Sequence, residues 1–581
     1  MTFEWHEDVA QHLAKLKIRA LYQSPYSPVL VDEQLFPSVG EWTIDSDGKA
    51  CLLVKKRVNL PGTPVGSEKF FEIDLLGTCE DQAPICRFQV LFRNSDNVAP
   101  PGVIQGRFGA IIEGPEPFVD SRPATQVAHG VTFGDGPLSD AYVAAETLLG
   151  DQQELAIDFI VAFGIHSSQI LYDEILMPNG LTDEYETEPL LEPIVDRLSW
   201  APNVERDYFA LMSEPRDEYD TFGYRKDPNE SGPDERFGCH AEPRLIYNIN
   251  GTGVACVRAE LLRVHSRYPF HVELPEGYLE VPDPRAIYFD GPLSWHSRNR
   301  LGRPDRYASE VERHRFREGV LGMKAPRSEW VGSTVPELAW YGHDWWAKLQ
   351  CIELGYKQMN TMHDPNYSIE RGGYDTPYLY IMRSLLRGAK LLTECHRVVK
   401  REGWSRHEAA FRTHLQKVWS WVATFWKPKL YGLVPRRQDE QVPGHEGEPI
   451  IPAWQIIHLY SALYAWKDLG SQYAREVAQD LGAALLDAYV WKPSGEWWMR
   501  KIILAAQHNV GWEPHPSLDA LIVWPYSSLK LIWQKGSMLG FTGPQQAKAK
   551  AICMDLRQRF QGLDGPGWVE NISEWGCGDY E

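Results

Sequence analysis

Four short segments hold most of the side chains able to move protons or grip a polar ligand. Tyr341-Gly-His-Asp-Trp-Trp sets His343 and Asp344 beside Trp345 and Trp346. Arg371-Gly-Gly-Tyr-Asp-Thr-Pro brings Tyr374 and Asp375 to the point where a Gly-Gly pair leads into a helix. Gly444-His-Glu-Gly-Glu-Pro supplies His445, Glu446 and Glu448, and Gln507-His-Asn-Val-Gly-Trp-Glu-Pro-His supplies His508, Trp512, Glu513 and His515. Carboxylates beside aromatic rings fit acid–base work on a sugar. One acid protonates the leaving oxygen and a second carboxylate, held apart from it, activates a water. Asp344 is the candidate acid, because burial beside two indoles favours a protonated carboxyl. Glu446, Glu448 or Glu513 is the candidate base, with Trp345, Trp346 and Trp512 stacking on the ring. Each position also has a plainer reading. Asp375 and Glu448 fit as first-turn acids that satisfy free helix N–H groups, and His343 and Asp344 fit inside the helix that follows.

The elements that must position these loops change character along the chain. The stretch Glu7 to Tyr22 reads as a short helix, and after it the first half reads as β. Glu41 to Asp45, an Asp47-Gly turn and Lys49 to Val58 form strand, turn, strand. Phe70 to Leu76, Cys86 to Phe92 and Leu155 to Phe163 continue the alternation. From about 305 the period becomes helical. Helices are expected over 335–359, 376–393, 407–426, 452–469, 474–490, 518–534 and 545–560. The expected organisation is a β-rich domain at 1–200, mixed linker and strands at 201–300, and an (α/α)-barrel-like helical domain at 301–581 that carries the site. The fold class is therefore α+β: an antiparallel sandwich or barrel followed by a helical toroid.

Composition narrows the partners. Across 581 residues the formal net charge is −20, with no long basic run, which disfavours nucleic acid. No window is apolar enough for a membrane span, and the first residues do not read as a signal peptide, so a cytoplasmic location is expected. Nine cysteines without a CxxC pair disfavour a zinc or disulfide framework. His508 and His515, seven apart, do not match a zincin helix, so neither metal nor cofactor is expected. The 22 Trp and 26 Tyr fit equally large cores and flat ligand platforms. Nothing marks the oligomeric state.

A sandwich followed by helical hairpins, with loops such as GHDWW and GHEGEP, resembles the six-hairpin glycosidase superfamily. That resemblance implies a hydrolase, inverting in outcome, acting on an oligosaccharide or other small molecule. The helical part is also similar to the linalool dehydratase-isomerases. That similarity implies a cofactor-free lyase, isomerase or cyclase in which His343, His445, His508, His515, Tyr374 and Cys351 shuttle protons and aromatic walls steady positive charge. A third reading is a non-catalytic carbohydrate-binding protein, which keeps the aromatic pocket and needs no acid pair.

Overall fold

A computed structural model describes residues 2–24, 30–37, 41–59, 70–93, 104–113, 118–120, 140–149, 154–163, 334–341, 343–362, 379–423, 469–491, 493–499, 529, 532–534 and 536–560. Its N-terminal part is built from antiparallel sheets, and helices lie in the C-terminal part. Helix α1 (Glu7–His12) is short and leads through a single 3₁₀ turn into β1 (Lys17–Gln23). The expected helix to Tyr22 is therefore cut in half. Ile18, Ala20 and Tyr22 alternate inward, and β1 pairs with a strand on each side, so ladder formation overrides local helix preference.

One sheet has the order β2-β1-β7-β9, with β2 at Leu30–Phe36, β7 at Ile104–Glu113 and β9 at Asp140–Leu149. The other has the order β3-β4-β5-β6-β10-β8. Its strands are β3 (Thr43–Ile44), β4 (Ala50–Asn59), β5 (Phe70–Cys79), β6 (Ile85–Arg93), β8 (Phe118–Asp120) and β10 (Glu154–Ala162). One apolar core joins the two sheets, including Ile18, Phe108 and Ile112 from the first and Ile73, Leu75, Phe88, Val90, Phe92 and Ile157 from the second. This is the period-2 burial of a sandwich.

Cys79 and Cys86 are register partners on β5 and β6, and they are disulfide-bonded. The expectation of no disulfide framework is corrected to this one cross-strand bond. Cys79 and Cys86 stand out locally in the sequence, but only the β-hairpin, which folds the two positions face to face, makes them a bonded pair.

The described helices are α2 (Thr334–Tyr341), α3 (Trp345–Met362), α4 (Leu379–Arg401), α5 (Ser405–Trp421), α6 (Gln472–Ala488) and α7 (Gly543–Phe560). A short hairpin, β11 (Tyr489–Trp491) with β12 (Trp497–Met499), follows α6. The single helix expected over 335–359 is two, α2 and α3, parted at 342–344. Between α4 and α5 only Glu402, Gly403 and Trp404 intervene, so the two form a helical hairpin. Gly403 takes φ +71°, the left-handed conformation that ends a helix. Helix α3 packs against α4 and, more lightly, α5. It passes α5 closely enough that a Cβ at Gly355 would lie 2.2 Å from the Phe411 ring.

Candidate functional site

Of the four loops singled out in the sequence, the one at 341–346 is described apart from residue 342. Tyr374, Asp375, His445, Glu446, Glu448, His508, Trp512, Glu513 and His515 lie outside the described residues, as does the mixed region at 201–300.

The described loop sits at the seam where the sandwich meets the helices. His343 takes φ +50°, uncommon for a residue with a side chain. Asp344 follows, and its Oδ1 accepts the Ala347 N–H at 2.9 Å, the geometry of an N-cap. Arg87 on β6 stands 3.7 Å from its other oxygen. Both neighbours are donors, the setting of a carboxylate that starts a helix. Trp345 donates its indole N–H to the Leu52 carbonyl at 3.2 Å and meets Trp404 edge to face. Trp346, 1% exposed, donates to Glu154 at 3.0 Å. The four residues that read as a sugar-facing cluster thus pin the start of α3 to the six-stranded sheet.

Beneath α3 lies a buried ionic cluster that sequence reasoning missed. Arg93 reaches Asp74 at 2.9 Å, Glu353 at 3.0 Å and Glu154 at 3.1 Å, and all four side chains are at most 1% exposed. Gln350 adds a donor to Glu154 at 3.4 Å. Burial alone would pull the Arg93 guanidinium down; Glu353, Glu154, Asp74 and Glu72 outweigh it and raise its pKa above the ordinary value.

A second cluster forms around the β3–β4 turn. Asp45 Oδ1 accepts the Asp47 and Lys49 N–H groups at 3.0 and 2.8 Å, and Gly48 at φ +80° completes the turn. The turn is thereby a fixed key. Lys348 on α3 contacts Asp45 at 2.8 Å, Glu402 at 2.9 Å and Asp47. Arg401 and His343 also contact Asp47, the latter at 2.9 Å, and Ser46 donates to Glu402 at 2.5 Å. Burial would raise the Asp47 carboxyl, but the hydrogen bond from His343 and the charge of Lys348 hold it well below the usual carboxylate range. Lys348 is lowered by burial and raised more by Glu402, Asp45 and Asp47, so it ends above its ordinary value.

In sequence the signal for both clusters was faint. Asp74, Arg93 and Glu154 occupy the polar phase of alternating strands, which normally faces water. Lys348 and Glu353 sit in a helix otherwise rich in apolar residues. Each carboxylate named in the seam faces a cation, and these contacts tie the helices to the sheet. Among the described residues no trio of His, Cys, Asp or Glu is arranged to hold a metal ion, and no helix is long and apolar enough to cross a membrane. Comparison of the chain with protein-family models and with curated proteins gave no match.

Proposed function

We propose that the chain is a glycoside hydrolase-like enzyme, inverting in outcome, whose helical part closes into an (α/α) toroid around an oligosaccharide site. The observation that carries this reading is the helical hairpin α4–α5, packed with α3 and locked onto an antiparallel sandwich. Repetition of such hairpins makes a toroid, and loops at one end of the repeats converge on its axis. The loop at 341–346 is anchored by Asp47, Arg87 and Glu154, which fixes one rim position for the others to meet.

On this reading the acid and base come from Glu446, Glu448 and Glu513, with Tyr374, Asp375 and His508 beside them. Trp512, His445 and His515 bind the sugar. Asp344 acts as a positioning residue through the cap it makes. The cytoplasmic location is part of the same proposal, and the Cys79–Cys86 bond pulls against it, because cytosolic thiols are kept reduced. Release of reducing ends from a panel of neutral oligosaccharides is the test, followed by Glu446→Gln, Glu448→Gln and Glu513→Gln. Two of the three variants should lose activity by about 10²-fold or more, and proton NMR of the first product should show the inverted anomer. No hydrolysis by the parent, or less than about tenfold loss in all three variants, would sink the reading.

A further inference from the structure

A second aromatic feature stands on the short hairpin that follows α6. In the β11–β12 hairpin, Trp491 and Trp497 are register partners and so emerge on the same face. Their rings meet at 5.3 Å and 68°, an edge-to-face contact. Trp491 is nevertheless 56% exposed, the largest exposure among the large hydrophobic side chains described. The hairpin that carries it is rigidly seated. Tyr489 at its base is buried, the Trp497 backbone N–H donates to Asp555 on α7 at 3.1 Å, and the Lys548 ammonium stands 5.5 Å over the Trp497 ring. Gly495 at φ +89° closes the turn, where Ser494 donates to Glu496.

The Trp497 contact braces one part of the indole, and more than half of the side chain still faces water, where a flat apolar partner could cover it. A whole Trp buries about 150–250 Å², so this one leaves on the order of 100 Å² open. A stable dimer needs roughly 800 Å² from each partner, far more than one indole offers, and the adjoining turn carries the polar Ser494 and Glu496. One indole wide and polar at its edge matches a single pyranose ring, whose C–H face is apolar and whose rim is hydroxyl.

We propose that Trp491, a residue outside the four loops, is the platform of a saccharide-binding surface that holds a neutral glycan chain on the enzyme. This rests on the saccharide reading above but stands on a different residue. The indole takes the sugar's C–H face, and the braced hairpin spares the ordering cost that a mobile loop would incur.

The test is electrophoresis of the full chain in native gels cast with soluble xylan, mixed-linkage β-glucan or starch. At least one polysaccharide should retard the parent, and Trp491→Ala should run about as in a blank gel, its apparent affinity down about tenfold or more. Trp491→Gln, polar at an exposed position, repeats the measurement should the alanine variant misfold. Both variants should cleave short soluble oligosaccharides at the parent's rate. If retardation depends on Trp491 while no reducing ends are ever released, the surface site holds and the hydrolase reading falls. Absence of retardation in every gel overturns the site, and so does equal retardation of parent and variants. A Trp491-dependent dimer in size-exclusion chromatography also overturns it, in favour of a second copy as occupant.

Discussion

The middle of the six-stranded sheet, at β5 and β6, is buried on both faces, yet the two faces are held in different ways. On one, Ile73, Leu75, Phe88, Val90 and Phe92 join the sandwich core. On the other, one residue out of step, Asp74 and Arg93 lie with Glu154 under α3, and Glu353 comes down from the helix to meet them. The apolar face tolerates any partner of suitable shape, because burial is non-directional. The ionic face accepts one partner in one register, since each charge must find its counterpart or remain unpaired in a dry place. The sandwich core makes the sheet; the ionic face decides where the helices go.

Arg93→Met breaks the contrast most sharply, leaving Asp74, Glu154 and Glu353 buried without their shared cation. Its cost should be about 3–5 kcal/mol, comparable to about 3–5 kcal/mol for Phe88→Ala in the apolar core, both read from urea midpoints. The difference lies in rescue. Adding Asp74→Leu, Glu154→Gln and Glu353→Leu to Arg93→Met should recover most of the loss, because it removes the stranded charges. A combined variant as unstable as the single one would show that shape, not charge pairing, holds the seam.

The second cluster sharpens the comparison through pH. Asp47 has its folded pKa held below the ordinary 3.8, so its contribution is complete above that value and is lost as pH falls below it. Lys348 is shifted the other way, above 10.5, so its contribution is complete below 10.5 and fades as pH rises beyond it. Below about pH 4 the parent's urea midpoint should therefore fall more steeply with decreasing pH than that of Asp47→Asn, and from about pH 6 to about pH 5 the two should run parallel. Curves that stay parallel in the more acid range as well would place the acid sensitivity elsewhere. Phe88→Ala, in the apolar core, should lower the midpoint at every pH without changing the slope.

The smallest expected effect separates a cap from an acid at Asp344. Asp344→Ala should cost about 1 kcal/mol through the lost cap, and Asp344→Asn much less. As a cap, Asp344→Asn should leave turnover within about threefold of the parent, whereas a general acid replaced in this way loses about 10²-fold or more.

The sandwich was legible where apolar alternation repeats, as in β5, β6 and β10, and where Asp47-Gly marks a turn. β1 was read as helix because Lys17–Gln23 looks helical until its two neighbouring strands are known. In the helical part α4, α5, α6 and α7 were visible from their periodic apolar stripes. The break between α2 and α3 was not, because His343 in a left-handed conformation and Asp344 as a cap are decided by Asp47 and Arg87, both more than 250 residues earlier. His343, Asp344, Trp345 and Trp346 stood out because His, Asp and Trp together resemble a ligand site. The same residue types also serve a buried polar seam, where indole N–H groups and carboxylates need partners.

By itself, then, the sequence determined the order of the parts: strands that alternate, a turn at Asp47-Gly48, and helices with one apolar stripe. All of these are set within a few neighbours by backbone geometry and side-chain period. Only the tertiary structure decided that Asp45, Asp47, Asp74, Arg93 and Glu154 on the sandwich face Lys348, Glu353, Arg401 and Glu402 on the helices. A charge carries no local sign of whether it will meet water or a counter-ion, and that choice is made when distant segments close over it.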